Sequence, residues 1–390
     1  MHHDTSIGQV LTIEGTIEDV SPRELMAWEV GLSARLTGPD GTDLKVPGFA
    51  HRGRWYARVA LPTEGEWNYE ARVGDTLLQT GSVAVAAGRD PFVGGLAIDR
   101  ENPRRFVLKD GAPVFLLSYE CDWLFDVEMR APGEGRVDAF LERLRSSGFN
   151  CVMTNLYAHD TTWAPGHVEP DDHGPPTFYP WAGSNDDPDF ESFNPDFWEG
   201  MDRVVESFWR AGVFLHLFFK VYNKMVAWPE PWGAADEAFF RHVVARYQAY
   251  PCMIWDFAKE TYYEIDKAYV RARMRQIGEW DAHGRLRTVH DDLALIADPD
   301  AVGDLDFCTA QQHHDFHASA LLEHSRRDWP YVNSEFGYEG GPGGSSDVYY
   351  GVGHSAQELV RRAWVVASSG GYPAYYYTYT AWDVIRTDDS

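Results

Sequence analysis

Two glutamates stand out among the titratable residues, because each ends a short apolar run of strand length. One run reads Met253-Ile-Trp-Asp-Phe-Ala-Lys-Glu260, and the other reads Tyr331-Val-Asn-Ser-Glu335-Phe-Gly. A pair of carboxyl groups is what cleavage of a glycosidic bond requires. One protonates the leaving oxygen while the other supplies negative charge beside the anomeric carbon as an oxocarbenium-like state forms. The two tasks demand different surroundings: the acid needs a raised pKa, and the nucleophile must stay ionised. A separation of about 5–5.5 Å would permit direct attack and retention of configuration, whereas about 6.5–9.5 Å would admit a water and give inversion. Taken singly, each glutamate reads as readily as a solvated loop carboxylate or an ion-pair partner. Taken together, in these settings, they read as a catalytic pair.

Such a pair must be carried by elements that bring residues 75 positions apart to one place. From Phe106 onward, apolar runs alternate with amphipathic stretches of helix length, the signature of parallel βα units. The strand candidates are Val114–Tyr119, Cys151–Leu156, Val213–Phe219, Met253–Ala258, Leu286–His290, Phe307–Ala310, Tyr331–Ser334 and Ala374–Tyr379. Helices are expected over Val137–Ser147, Asp196–Ala211, Asp236–Tyr250, Tyr263–Ala282, Ala318–Arg327 and Ala356–Ser369. The fold class is therefore α/β, with a (β/α)8 TIM barrel over residues 106–390. About ten residues follow the eighth strand, too few for the closing helix a standard barrel would add. In such a barrel the chemistry sits where the strands end. The other ends are rich in groups suited to sugar hydroxyls and ring faces. Glu120, Trp123, Asn155, Tyr157, Lys220, His290, Gln312, His313, Tyr338 and Trp382 are the candidate substrate contacts. Each reads equally as a barrel-rim hydrogen bond or a packed ring. Asp256, four residues before Glu260, should lie deeper, near the barrel core.

The order and setting of the two glutamates resemble clan A glycoside hydrolases, and the layout of residues 106–385 resembles the apiosidase-like hydrolases among them. In that clan an acid/base Glu ends strand four after a Trp-containing apolar run, and a nucleophilic Glu ends strand seven in a Ser/Thr-Glu-Phe/Tyr-Gly setting. The resemblance implies a neutral glycoside as substrate, a pentofuranoside such as an arabinofuranoside or apioside being reasonable. One departure is Lys259, which stands where the clan usually has an Asn that bonds the hydroxyl next to the anomeric carbon. A lysine pointing inward would depress the pKa of a nearby Glu.

Residues 1–90 read as short strands with turn punctuation: Gln9–Ile17, Trp28–Thr37, Trp55–Ala60, Trp67–Val73 and Gly81–Ala86. That spacing predicts a small antiparallel β-sandwich, joined to the barrel by a linker over 91–105. Leu36-Thr-Gly-Pro-Asp-Gly, Val46-Pro-Gly-Phe, Trp55 and Pro62-Thr-Glu-Gly-Glu-Trp-Asn-Tyr69 resemble the sandwich modules found ahead of bacterial glycoside hydrolase barrels. Bracing the barrel is its expected role. Two long loops, Thr161 to Pro195 and Tyr338 to Asp347, are candidate walls or flaps over the cleft. Trp163 or Trp181 would stack on sugar there, with Trp228 and Trp232 facing them.

Other classes remain to be weighed. His313, His314 and His317 have a spacing that could ligate a metal on a helical face, which would suit a metal-dependent sugar enzyme. A decayed barrel that binds carbohydrate without cleaving it is the remaining alternative. No glycine-rich phosphate loop follows the first strand, and no cofactor is expected. The formal charge of −26 repels nucleic acid and anionic membrane surfaces, which removes both as partners and favours a neutral glycan. The sequence leaves homo-oligomerisation open. Cys121, Cys151, Cys252 and Cys308 form no CxxC pair and are expected as buried free thiols. The N-terminus lacks the pattern of a signal peptide, so a cytoplasmic location is expected.

Overall fold

A computed structural model describes residues 1–18, 21–160, 174–264, 266–291, 305–339 and 353–376, with the backbone alone at positions 22, 23, 291 and 353. Its centre is a parallel barrel. The strands are β1 (Ser118–Glu120), β2 (Cys151–Asn155), β3 (Phe214–Val221), β4 (Met253–Lys259), β5, β6 (Cys308–Ala310), β7 (Tyr331–Asn333) and β8 (Tyr372–Tyr376). β5 comes in two pieces: Arg287–Thr288 pairs with β4, and His290–Asp291 pairs with β6. β1 joins β8, and the remaining pairs run in order around the ring, all parallel. β2, β3 and β4 are buried along their whole length, as expected of strands covered on both faces. The predicted eighth strand holds as far as Tyr376; its last residues and the segment behind it lie outside the described residues.

The barrel helices are α2 (Leu124–Arg130), α3 (Arg136–Ser146), α4 (Pro195–Ala211), α5 (Ala234–Tyr247), α6 (Lys267–Trp280), α7 (Phe316–Arg326) and α8 (Ala356–Ser368). Side-chain caps mark several starts: Asn194 accepts from the Asp196 N–H, Asp266 from Ala268 and Tyr269, and Ser355 from Glu358. Each satisfies an amide that the first helical turn leaves unpaired. The large aromatic core lies between barrel and helices, whereas the barrel interior holds a smaller set: Met153, Phe218 and Ala374, with His216 bonded to Asp256 at 2.7 Å. Asp256 is fully buried there, as its place in the strand predicts.

The N-terminal part forms two antiparallel sheets, one of Leu32–Thr37, Asp43–Pro47, Gly65–Val73 and Thr76–Ala86, the other of Val10–Thr16, Phe49–His51 and Arg54–Ala60. His2–Ser6 adds a parallel edge to the first. Trp55, Trp67 and Tyr69 fill the core between them. The expected strand Trp28–Thr37 is a correction. Its first residues belong to helix α1 (Pro22–Val30), opened by a capping box in which Ser21 and Glu24 bond each other's backbone N–H groups. All four cysteines are buried, and none is in a disulfide. Among the described residues, no helix is long and apolar enough to cross a membrane.

The sandwich meets the barrel through buried charge. Arg58, from the strand Arg54–Ala60, and Arg246, on α5, both grip Asp202 on α4, at 2.8–3.0 Å and 2.7–2.9 Å. Against the cost of burial, the two guanidiniums hold Asp202 well below the usual carboxylate range. Arg241 adds bonds to the Gly48 and Leu32 carbonyls at 3.1 and 2.7 Å. Removing one partner of such a group strands the others without a counter-charge. Asp202→Asn is therefore expected to cost about 3–5 kcal/mol, read as a lowered urea midpoint with unchanged strand and helix content.

Candidate active site

The site lies where the barrel strands end, and Lys259 is at its middle. Neighbouring residues on a strand ordinarily face opposite ways. Here Glu260 adopts a left-handed backbone, with φ 58° and ψ 48°, which turns the chain so that Lys259 and Glu260 both enter the mouth. Positive φ at a non-glycine residue is costly and tends to mark functional positions.

The Lys259 ammonium donates to Glu120 Oε1 and, at 3.0 Å, to Asp122 Oδ1. Glu335 Oε1 lies 3.5 Å from it, and the Tyr376 ring is 4.8 Å away. Asp122 is held further by Lys224 at 2.9 Å and by the Tyr376 hydroxyl at 2.8 Å. Asn155 donates to the Asp122 carbonyl at 3.2 Å, which pins the turn after β1. Glu335 Oε2 accepts from the Tyr338 hydroxyl, and its Oε1 lies 3.4 Å from His290 Nε2. His290 is fixed from below: its backbone N–H donates to Asp256 at 2.9 Å, and its ring sits 5.6 Å from Phe218. His313 stands against Tyr338, ring centroids 5.5 Å apart. Among the described residues, Glu120 Oε2, Asn155 Oδ1 and Glu335 Oε1 are buried and lack a hydrogen bond.

Electrostatics separate the two glutamates. Burial first, and then the charge of Glu335, push Glu260 up to about 7, against the pull of Lys259 and Lys224. The depressing effect expected of Lys259 is present but outweighed. Burial would raise Glu335 too, yet Lys259, then His290 and His313, and the bond from Tyr338 bring it below its ordinary value. Burial drives His290 itself down to about 4, so at neutral pH Lys259 is the cation that counts. Burial, with Glu335 and Asp122 close by, pushes Glu120 well above the carboxylate range although Lys259 opposes it. The Lys259 ammonium thus faces the carboxylates of Asp122 and Glu335, both held below their ordinary values.

Of the residues expected at the site, the fold brings together Glu120, Asn155, Glu260, His290, His313, Glu335 and Tyr338. Others sit elsewhere. Lys220 faces the helices, bonding Asp236 at 2.5 Å and the Tyr269 hydroxyl at 2.8 Å, because strand alternation breaks at Phe219–Lys220 and both turn outward. Trp123 caps α2 and is fully buried in the main core beside Phe125. Tyr157 packs on Phe125, Tyr179 and Phe197, and Trp181 is likewise core. The Gln312 side chain bonds the Gln311 carbonyl and Ser319. Trp232 bonds Asp266 on the helix side. Trp382, Trp163, positions 161–173 of the first long loop and 340–347 of the second lie outside the described residues; the rest of the first loop is not irregular but carries an antiparallel pair, Trp181–Gly183 with Pro188–Phe193. The histidines diverge: His313 turns to the Glu335 cluster, whereas His317 bonds Ser369 at 2.8 Å. Among the described residues, no group of three or more His, Cys, Asp or Glu is placed to hold a metal ion. Reading the sequence places Asp122 among the polar groups at the end of β1 without choosing it as a contact, and misses Lys224 and Tyr376; Tyr376 lies at a strand end, the one signal that points to it.

This fold is that of glycoside hydrolases. A putative glycoside hydrolase from Bacteroides vulgatus superposes with a TM-score of 0.79 over 97% of this chain and 73% of that one, at 17% identity. A glycoside hydrolase family 5 mannosidase from Rhizomucor miehei aligns with a TM-score of 0.54 over 74% of this chain and 86% of its own, at 12% identity. A glycoside hydrolase family 5 protein, also from Bacteroides vulgatus, gives 0.52 over 74% of this chain and 63% of that one, at 17% identity. Within that class, the chain belongs to the apiosidase-like family, whose catalytic-domain model matches residues 100–389. A search of curated protein sequences gives no match.

Because part of the elevation of Glu260 comes from the charge of Glu335, Glu335→Gln should lower the Glu260 midpoint. Burial remains, so the midpoint should stay above the ordinary 4.5. Titration of selectively 13C-labelled glutamate carboxyls by NMR measures it.

Proposed function

We propose that the protein is a retaining glycoside hydrolase that cleaves a neutral glycoside by double displacement, with Glu335 as nucleophile and Glu260 as general acid/base. The observation that carries this reading is the contrast between two buried glutamates in one barrel mouth: one held ionised beside Lys259, the other raised to about 7 by burial and by its partner's charge. That is the division of labour the reaction needs.

In the first step Glu335 attacks the anomeric carbon as the glycosidic C–O bond breaks, and Glu260 gives its proton to the leaving oxygen. Glu335 is then an uncharged ester. The charge that helped raise Glu260 is gone, so Glu260, now a carboxylate, titrates lower and can take a proton from water. That water attacks the anomeric carbon, and the ester bond to Glu335 breaks. Glu120 Oε2 and Asn155 Oδ1, buried and unbonded among the described residues, would answer substrate hydroxyls. Membership of the apiosidase-like family supports a pentofuranoside, an apioside or arabinofuranoside, as substrate. The acidic surface, with its formal charge of −26, favours an uncharged glycan.

The test is a panel of 2,4-dinitrophenyl glycosides that includes apiofuranosides and arabinofuranosides, with proton NMR of the first-formed anomer. A retained configuration is expected; an inverted one would assign the same glutamates to a single displacement. Glu335→Gln should reduce turnover to background. Glu260→Ala should lose about 10²–10⁴-fold on a substrate with a poor leaving group and far less on the dinitrophenyl glycoside, with azide restoring the second step. Since activity needs Glu335 ionised and Glu260 protonated, kcat/KM should rise as pH climbs through the lowered Glu335 pKa. It should then fall as pH passes about 7.

A further inference from the structure

We propose that Lys259 is a positioning residue, the group that keeps the Glu335 carboxylate charged and aimed, by holding one ammonium between it and the β1 acids. The inference rests on the reading of Glu335 as nucleophile and goes beyond it, since that reading requires an ionised carboxylate but not a buried lysine.

The geometry leaves Lys259 little freedom. Its ammonium has three protons, and two are taken by Glu120 and Asp122. The third has Glu335 Oε1, at 3.5 Å, as its nearest charged neighbour. With 2% of its side chain exposed, water cannot substitute for these partners. The anchors are themselves anchored: Asp122 by Lys224 and Tyr376, and the turn carrying it by Asn155. The ammonium is thus fixed from the β1 side and presented to Glu335.

The groups facing Glu335 from every packed element make Lys259 the deciding one. From β5 comes His290, which burial keeps neutral near pH 7. From the turn after β6 comes His313, also lowered by burial. Beyond β7, Tyr338 donates a hydrogen bond but no charge. The charge of Asp122 opposes ionisation of Glu335, and Glu120 and Glu260, both raised, supply no cation. Lys224 is engaged with Asp122, and Tyr376 offers a ring and a hydroxyl that bonds Asp122. Among the described residues, Lys259 is the cation within 4 Å of the nucleophile that stays charged at neutral pH.

The experiment follows the 13C carboxyl signal of Glu335, assigned by its loss in Glu335→Gln, through a pH titration of the wild type and of Lys259→Met, Lys259→Asn and Lys259→Arg. In the wild type the midpoint is expected below 4.5. It should rise by about 1 pH unit or more in the Met and Asn variants and stay low with Arg. On a dinitrophenyl glycoside, the acid limb of kcat/KM should move with the same midpoint. A wild-type midpoint at or above 4.5, or an unmoved midpoint in a folded Met or Asn variant, overturns the proposal; the first measurement needs no variant to fold. The titration needs no substrate, so it stands apart from the proposed activity. Absence of hydrolysis with every glycoside would sink the glycosidase reading while leaving the ionisation of Glu335 measured.

Discussion

A barrel mouth that buries four carboxyl groups has to neutralise them, and the two ammonium groups of Lys224 and Lys259 perform that task. Burying an unpaired charge is prohibitive, so an enclosed carboxyl either finds a counter-ion or takes a proton. Asp122 and Glu335 are held low by their counter-ions, whereas burial pushes Glu120 and Glu260 upward, towards the protonated form. The difference between the two glutamates of the proposed pair follows from how this small ledger of charge closes. Asp122 is the hinge of the arrangement: it anchors both lysines and is itself tied to β2 through Asn155 and to β8 through Tyr376. A disturbance at β1 would therefore reach Glu335, two strands away around the ring, through one ammonium.

The rest of the fold keeps that cluster rigid and dry. Below it, His216, Asp256 and His290 form a buried polar layer in which Asp256 bonds both the His216 ring and the His290 backbone. Outside, the aromatic core wedges helices against strands, and the Lys220–Asp236–Arg273 group ties β3, α5 and α6 at the same height. The sandwich leans on α4 and α5 through Asp202 and its two arginines. The Lys220 and Asp202 groups pair their charges with one another away from the mouth, consistent with support rather than chemistry.

Much of this was legible in the sequence, for identifiable reasons. Each of the first seven barrel strands is an apolar run bounded by polar residues, so its end could be located to within a residue or two, and the strand-end rule then pointed to Glu260 and Glu335. What the sequence did not yield is which way side chains turn. Strict alternation would send Lys259 and Glu260 to opposite faces and Lys220 into the mouth. A left-handed residue after β4 and an outward turn at the end of β3 reverse both expectations. The partnership of Lys259 with Glu120 and Asp122 spans more than 130 positions, which no local pattern encodes. Helix α1 was missed for the opposite reason: its capping box was visible, but a short apolar stretch around Trp28 read as strand.

The backbone at Glu260 carries an evolutionary consequence. A glutamate with φ 58° pays roughly 1–3 kcal/mol of strain, and its carboxyl is buried besides. A glycine would relieve both. Selection for stability alone would therefore erode this residue early, and its presence means some other pressure outweighs that cost. On the proposed acid/base role, homologous chains that have lost the reaction should be recognisable at this position before their barrels change elsewhere. On that role the strained turn after β4 is a record of use, kept only under selection for the chemistry.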